Sequence, residues 1–350
     1  MPTDALALAR KVRLVRTPAT PVREHARSLV NQRRRFPETM TSSSMHDPIK
    51  WLKEAMKAAF PRGYDRYLRL QYARVPLMRR IAAILASDAQ PIHYDDHFDR
   101  LQNSGKQYWP EYGYDSYSTW ARGCERAVKL LRISELRKEG LEVFEAGCGD
   151  GMTAYVLRSY GNETHVTLND TVDWRDSRAK SFPFVIGDMC QRLPVDSDSF
   201  DLVMTYNTFE HIPDPKAALG ELTRVCRKGG YICIDFSPLY CSPLGLHAFS
   251  FLMPYPQFLF SSGLIERKVR ELRVKDLGQE SESIQPTNRW RVAQFRELWR
   301  NSGCEIVSMI EDPSARFLST VIQFPGAFYG RELTVDDLIV SGIAVMLQKN

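Results

Sequence analysis

The chain has 350 residues, 43% of them hydrophobic and 25% charged, which is typical of a folded globular protein with a substantial core. Its net charge is +5, but residues 1–50 carry ten Lys or Arg against four Asp or Glu, so the basic charge lies in an N-terminal arm and the body indicates no nucleic-acid partner. The seven cysteines are scattered without a C-x-x-C pair, which excludes a cysteine-based zinc framework and favours reduced thiols.

The N-terminal arm, residues 1–44, is rich in Arg and Ser, and it lacks the apolar core of a secretory signal. Its composition favours a disordered arm, or a start upstream of the true initiator Met45. An organelle transit peptide and a tether to an anionic surface are the alternatives. Because the chain also has no apolar run of membrane-spanning length, we expect a cytoplasmic protein.

Residues 45–136 are predicted to form a helical N-terminal cap. Apolar residues recur at helical spacing from Trp51 to Phe60 and, more loosely, from Leu68 to Leu85. The cap also contains His93 and His97, a spacing that can hold a metal on one helix face, but no third ligand set accompanies them. We interpret this pair as part of a solvated turn.

From Leu141 the pattern changes to alternating strands and helices, the signature of a doubly wound α/β sheet. Residues 137–350 are therefore predicted to form one domain, with an insertion at 239–286. The predicted strands are Glu142–Ala146, His165–Asn169, Phe184–Gly187, Asp201–Tyr206, Tyr231–Phe236, Glu305–Ile310 and Asp337–Leu347, and the predicted helices between them are Met152–Tyr160, Pro215–Cys226 and Val292–Asn301.

The first of these strands leads into a glycine-rich loop. After Glu145, the glycines Gly147, Gly149 and Gly151 follow at alternate positions before a helix begins. Glycines permit positive φ and let the backbone approach a ligand, and the helix start offers unpaired N–H groups. A nicotinamide-binding G-x-G-x-x-G loop would need glycine in place of Met152, so that cofactor is disfavoured.

Five segments together resemble the motifs of class I S-adenosylmethionine-dependent methyltransferases, in the broad subgroup that includes ubiquinone- and menaquinone-biosynthesis enzymes (methyltransferase type 11). The segments are Glu145–Gly151, His165–Asp170, Gly187–Val203, Glu210–Pro215 and Leu222–Gly230. The resemblance implies a Rossmann-like α/β fold, whose seven-stranded sheet is mostly parallel with an antiparallel C-terminal strand. It also implies S-adenosyl-L-methionine as the cofactor.

The cofactor-binding residues follow from the same motifs. Asp170, at the end of the second strand, lies where an acidic residue accepts hydrogen bonds from ribose hydroxyls. Gly147 and Gly149 are expected at the ribose and methionine portions of the cofactor. By resemblance, Glu145 lies near the methionine ammonium, and Asp188 with the Met189 backbone faces the adenine. Asn207 and Thr208 are expected at the sulfonium end and the acceptor.

Methyl transfer to a hydroxyl or an amine needs a proton acceptor. The candidates are His211, Glu210 and His247. His211 lies in Glu-His-Ile-Pro-Asp-Pro, and the alternative to a catalytic role is that it structures this loop. His247 ends a Ser-Pro-Leu-Gly-Leu-His stretch after the fifth strand, and the alternative to a catalytic role is packing. We expect the reaction to require no metal.

We expect the insertion at 239–286 to determine acceptor specificity, because it is unusually apolar. We interpret it as a cap packed on the N-terminal helices; an apolar acceptor wall or a peripheral membrane contact through residues 245–260 is the alternative. Its Ser-Pro-x-Gly-x-His stretch, with the later Asn288-Arg289, resembles segments of methyltransferases found with bacterial glycan-assembly enzymes. Arg289 and Arg291 are candidates for binding an acidic acceptor group, and a solvated helix start explains them as well.

The sequence therefore predicts methyl transfer from S-adenosyl-L-methionine to a small-molecule acceptor, with O-methylation of a sugar-containing or lipid-linked substrate favoured. C-methylation of a quinone- or lipid-like acceptor, and a non-catalytic scaffold that binds the cofactor, are the alternatives. The oligomeric state is left open.

Overall fold

The computed structural model describes residues 76–106, 113–131, 140–159, 164–276 and 279–350. The predicted N-terminal arm and the first predicted cap helix lie outside the described residues, so the domain boundaries remain predictions. The helices are α1 (residues 76–85), α2 (Phe98–Ser104), α3 (Ser116–Leu131), α4 (Met152–Ser159), α5 (Pro215–Val225), α6 (Pro256–Leu259), α7 (Ser262–Glu271), α8 (Val292–Arg300), α9 (Leu318–Gln323) and α10 (Val335–Ile339). The strands are β1 (Glu142–Ala146), β2 (His165–Asp170), β3 (Phe184–Ile186), β4 (Phe200–Tyr206), β5 (Cys226–Phe236), β6 (Lys275–Asp276), β7 (Gln279–Glu280), β8 (Glu305–Pro313) and β9 (Val340–Gln348).

Seven of the described strands form one sheet in the order β3-β2-β1-β4-β5-β9-β8, while β6 and β7 form a separate hairpin. Strands β1 to β5 pair in parallel, and β9 is antiparallel to both β5 and β8. The predicted Rossmann-like sheet with an antiparallel C-terminal strand is therefore confirmed. The strand order reverses between β1 and β4, and in such sheets ligands bind in the crevice outside the carboxyl ends of the strands at this point.

Helices cover both faces of this sheet, as parallel strands require. On one face, Phe144 of β1 packs with Leu222 of α5 and Trp299 of α8, and all three side chains are fully buried. On the other face, α3 and α4 cover Val143 and Leu168. Successive side chains of β1 are therefore buried in two different cores. This packing fixes the position of the strand and of the glycine-rich loop that follows it.

A third hydrophobic core, called the cap core below, lies in and around the insertion. Phe98 of α2 packs against Phe251 and Phe260, with ring centroids 5.3 and 5.0 Å apart. Every residue from 245 to 260 is buried or half-buried. The insertion is therefore packed on a helix of the predicted cap. The alternative of a peripheral membrane contact through residues 245–260 stays a prediction, although most of the apolar side chains that would make it are packed in this core.

The described part of the chain contains no helix with both the length and the apolar character needed to cross a bilayer.

The last strand begins later than predicted. Thr334 and Asp337 form a reciprocal capping box, in which the Thr334 hydroxyl accepts from the Asp337 N–H and the Asp337 carboxylate accepts from the Thr334 N–H. The residues that follow Thr334 therefore form α10, and the strand proper is β9. The prediction of a strand starting at Asp337 was wrong there, because a short apolar run does not distinguish a buried helix from a strand.

Candidate active site

The glycine-rich loop leaves the carboxyl end of β1 in a left-handed conformation. Gly147, Gly149 and Gly151 have φ values of +63°, +53° and +69°. A Cβ on Gly147 would lie 2.4 Å from the Thr208 side chain, so the loop packs directly on the segment after β4. A Cβ on Gly149 would meet no described heavy atom within 4 Å. The loop is thus tight at Gly147 and open at Gly149, where a ligand can approach the backbone.

Asp170, the last residue of β2, holds the loop from the neighbouring strand. Its Oδ2 accepts a hydrogen bond from the Gly149 N–H at 2.9 Å, and its Oδ1 accepts from the Thr171 N–H at 2.8 Å. Oδ1 also accepts from the Thr171 hydroxyl at 3.4 Å, so Oδ2 is the oxygen with a second lone pair that can accept from a ligand hydroxyl. The structure therefore brings together the predicted ribose-binding carboxylate and the predicted loop.

Asn169 is a residue beside the candidate site that the sequence did not single out. It is fully buried, and its amide donates to the backbone carbonyls of Val185 and Gly187, at 3.0 Å each. It thereby ties the end of β3 to the end of β2, where Asp170 lies. The available signal was a polar amide inside an otherwise apolar strand, since a buried amide needs hydrogen-bond partners.

The predicted adenine side begins directly after this tie. Asp188 is exposed, and its Oδ1 accepts from the Cys190 N–H at 2.8 Å, which is the turn-capping geometry. The Met189 side chain is buried in the core, so its backbone is the part that a ligand can reach. Both findings are compatible with the predicted contacts, which use a carboxylate oxygen of Asp188 and the Met189 main chain.

Glu145 lies in β1, just before the loop, and only 1% of it is exposed. Its Oε2 has no hydrogen-bond partner among the described residues. Burial, opposed by the charge of Arg126, raises the pKa of this carboxyl to about 7. Because a buried carboxylate is costly without a cationic partner, a ligand ammonium at this end of the loop would stabilise its ionised form. The residues present thus fit the cofactor that the sequence predicts.

The end of β4 borders the same crevice. Asn207 has a φ of +46°, and its N–H donates to the Asp235 carbonyl of β5 at 2.9 Å. The Thr208 hydroxyl lies 3.2 Å from the Gly147 carbonyl oxygen and 2.9 Å from that of Tyr206. These contacts fix the segment that leads to Glu-His-Ile-Pro against the glycine-rich loop.

The two candidate catalytic histidines lie side by side. The ring centroids of His211 and His247 are 4.8 Å apart, and the rings are nearly perpendicular. His211 donates its Nδ1–H to the Pro286 carbonyl at 2.9 Å, and His247 donates its Nε2–H to the Pro238 carbonyl at 2.8 Å. A ring nitrogen must carry the proton to donate to a carbonyl, so in each neutral ring the other nitrogen carries a lone pair.

Glu210 completes a group that we call the Glu-His-His cluster (Glu210, His211 and His247). Its Oε1 lies 4.0 Å from His211 Nε2, and only 3% of its side chain is exposed. Burial raises the pKa of Glu210 to about 8, whereas burial and the adjacent His211 lower the pKa of His247 to about 4. His247 is therefore a neutral imidazole at physiological pH, able to accept a proton or a hydrogen bond.

Asn288 positions this cluster from the segment that follows the insertion. Its backbone N–H donates to the Glu210 carbonyl at 2.9 Å, and its side-chain amide donates to the Phe209 carbonyl at 2.8 Å. Sequence reasoning connected Asn288 only with a family resemblance. In the structure it clamps the loop after β4 to the chain that enters α8.

A family model described as a methyltransferase domain matches residues 144–234. The chain is 34% identical over 187 residues to a fatty-acid O-methyltransferase of Mycolicibacterium smegmatis, an alignment that covers 49% of this chain and 68% of the relative. It is 29% identical over 110 residues to the chloroplastic 2-methyl-6-phytyl-1,4-hydroquinone methyltransferase 1 of Oryza sativa subsp. japonica, covering 30% of this chain and 33% of the relative. The chain spans about half the length, or less, of several curated relatives that it matches.

Among solved structures, the PH0226 protein of Pyrococcus horikoshii OT3 is similar, with a TM-score of 0.41 and 14% identity; the match covers 69% of this chain and 97% of that one.

Proposed function

Because this chain belongs to the class I S-adenosylmethionine-dependent methyltransferase family, we propose that it transfers a methyl group from S-adenosyl-L-methionine to an oxygen atom of a lipid-linked or sugar-containing small molecule. The observation that carries the proposal is the contact between the glycine-rich loop and the segment after β4. Gly147 packs on Thr208, and the cluster residues Glu210 and His211 follow two and three residues later. In this proposal the loop that holds the cofactor and the pair of imidazoles lie next to each other.

The chain's own residues would hold the cofactor by charge and hydrogen bonding. Asp170 accepts from the ribose hydroxyls while it orients the Gly149 N–H, and the open face of Gly149 leaves space for the ligand. Glu145, once ionised, pairs with the methionine ammonium, and Asp188 with the Met189 backbone contacts the adenine. Bound in this way, the cofactor supplies a methyl group that its positively charged sulfur already activates.

For the acceptor, the chain supplies position and a proton acceptor. Much of the rate gain in an in-line displacement comes from holding the two reactants at near-attack distance. A hydroxyl acceptor must also lose a proton, and His247 Nδ1 is the proposed base, with His211 beside it as an acceptor contact. The neutral state of His247 keeps its lone pair available at physiological pH.

The proposed acceptor class rests on the basic border of the insertion and on the named relatives. The Arg289 guanidinium lies 5.1 Å from the Tyr240 ring, and the Arg331 guanidinium lies 5.1 Å from the Phe258 ring. Within the described part of the chain, neither arginine is ion-paired with a carboxylate. Apolar rings beside unpaired guanidinium groups suit an amphipathic, acidic acceptor, and a fatty-acid O-methyltransferase is among the relatives.

Titration with S-adenosyl-L-methionine in a calorimeter, followed by methyl transfer from the labelled cofactor to a panel of acceptors, tests the proposal. The panel contains fatty acids, lipid-linked sugars and alkyl hydroquinones, and mass spectrometry locates the methyl group. We expect cofactor binding and an O-methyl product. A C-methylated hydroquinone would favour the second candidate, which the hydroquinone methyltransferase relative supports. Binding without turnover on any acceptor would favour a non-catalytic scaffold.

A further inference from the structure

The Glu-His-His cluster brings a carboxylate and two imidazoles together on the acceptor side of the crevice. Glu210 and His211 follow β4, whereas His247 comes from the insertion. One ligand-type atom from each of the three side chains lies within 4.8 Å of the other two. Two imidazoles and one carboxylate form the donor set of many divalent transition-metal sites.

Both imidazoles are already oriented as metal ligands are. A histidine that binds a metal through one ring nitrogen usually donates its other ring N–H to a backbone carbonyl or a carboxylate, which fixes the tautomer and the ring plane. Here His211 donates to the Pro286 carbonyl through Nδ1, and His247 donates to the Pro238 carbonyl through Nε2. The ring nitrogens that do not make these two hydrogen bonds are His211 Nε2 and His247 Nδ1.

The carboxyl group gives an independent indication of a cation. The Glu210 side chain is 97% buried, and its Oε2 has no hydrogen-bond partner in the described part of the chain. A buried polar atom normally has a partner, and a cation beside this carboxyl would stabilise its ionised form. A cation among the three side chains would satisfy this oxygen.

We propose that Glu210, His211 and His247 bind one divalent transition-metal ion, with Zn²⁺ suited to this donor set, and that the fourth position receives the oxygen of the methyl acceptor. Ligand atoms on one Zn²⁺ lie roughly 3.4 Å apart at bond lengths of about 2.0–2.1 Å. The cluster therefore closes by side-chain rotation when the ion binds. This site departs from the sequence expectation of no metal.

The consequence for catalysis rests on the function proposed above. A cation in this site would lower the pKa of a bound hydroxyl, so that the acceptor would release its proton to solvent water without a strong base. With the ion bound, the two histidines would act as ligands, and this role of His247 would replace the role of base proposed for it above. The acceptor oxygen is held at the ion, beside the predicted sulfonium end of the cofactor cradle.

The first experiment measures metal binding alone, without cofactor or acceptor. Chelator-stripped protein is titrated with Zn²⁺ by calorimetry and with Co²⁺ by its visible absorption. Three variants remove one ligand each, and two of them keep the backbone hydrogen bond. His211→Asn retains an amide in place of Nδ1, His247→Gln retains one in place of Nε2, and Glu210→Gln removes the charge. His165→Asn, at the exposed start of β2, is the matched control.

We expect one ion per chain and wild-type metal affinity in His165→Asn. Loss of a residue that only supports a ligand lowers metal affinity roughly 10–100-fold, so each ligand variant should lose at least that much. Circular dichroism checks that each variant is folded. If Glu210→Gln is unfolded, the two histidine variants alone test the site. Absence of saturable binding, or binding that all ligand variants retain, would overturn the proposal.

A second measurement separates the metal site from the proposed function. Stripping the metal should abolish methyl transfer, Zn²⁺ should restore it, and cofactor affinity should stay unchanged. Full turnover in the stripped enzyme would overturn the catalytic role of the metal, while the proposed methyl transfer would stand. Stoichiometric metal binding with no methyl transfer to any acceptor would instead refute the proposed function and leave the site supported.

Discussion

Alanine substitution of three glycines separates the ligand-binding role of the loop from its packing role. Gly140, Gly147 and Gly149 have φ values of +70°, +63° and +53°, so alanine at each costs about 1–2 kcal/mol of stability through backbone strain. At Gly140 and Gly149 the new Cβ would meet no described atom within 4 Å. At Gly147 it would lie 2.4 Å from the Thr208 side chain, and overpacking adds about 1–3 kcal/mol.

Urea denaturation should therefore give a similar loss of unfolding free energy for G140A and G149A and a loss of about 2–5 kcal/mol for G147A. Calorimetry with S-adenosyl-L-methionine should show normal affinity in G140A and at least about a tenfold loss in G149A, which corresponds to about 1.4 kcal/mol. Equal affinities in these two variants would mean that the cofactor does not occupy the open space at Gly149. Equal stabilities of G140A and G147A would refute the argument from the Thr208 contact.

Three further predictions concern the carboxylates and the imidazole of the site. Asp170→Ala should weaken cofactor binding by about 1–3 kcal/mol in calorimetry, because it strands the ribose hydroxyls and the Gly149 N–H, and unchanged affinity would remove Asp170 from the site. His247→Ala should lower turnover in a methyl-transfer assay while cofactor affinity stays intact; normal turnover would leave His247 a packing role. Burial raises the pKa of Glu145 from 4.5 to about 7, so the folded state keeps a proton that the unfolded chain releases. Unfolding free energy should then fall as pH rises through that interval, and cofactor affinity should rise; Glu145→Gln should flatten both profiles, and a wild-type pH slope in that variant would contradict the assignment.

The conformation of the glycine-rich loop and its contact with Asp170 could be predicted from the sequence because local rules determine them. A buried strand followed by alternate glycines specifies the left-handed loop at Gly147 and Gly149. The parallel pairing of β1 with β2 then brings Asp170 beside that loop. The helix that begins at Pro215 could be predicted for the same reason, since Asp214 caps it and proline suits its first position.

The acceptor half could not be predicted in the same way, because it depends on long-range packing. The ring of His211 is held by the Pro286 carbonyl and the ring of His247 by the Pro238 carbonyl. No pattern of side chains in the sequence shows which carbonyl a ring will reach. The apolar insertion was ambiguous for a related reason. Apolar composition alone is the same for a buried core and for a membrane-facing surface, so only packing partners such as Phe98 decide between them.

The cap core has a consequence for attempts to redesign this enzyme's acceptor preference. Its members come from three separate stretches of chain, represented by Ile81 and Phe98, by Phe251 and Phe260, and by Phe324 and Phe328. Transplanting residues 239–286 from a relative would replace 11 of the 22 buried members of this core and leave the members from the other two stretches facing mismatched side chains. An exchange of acceptor preference would therefore have to move all three stretches together, whereas single changes at exposed positions outside this core, such as Arg289, would leave the core intact.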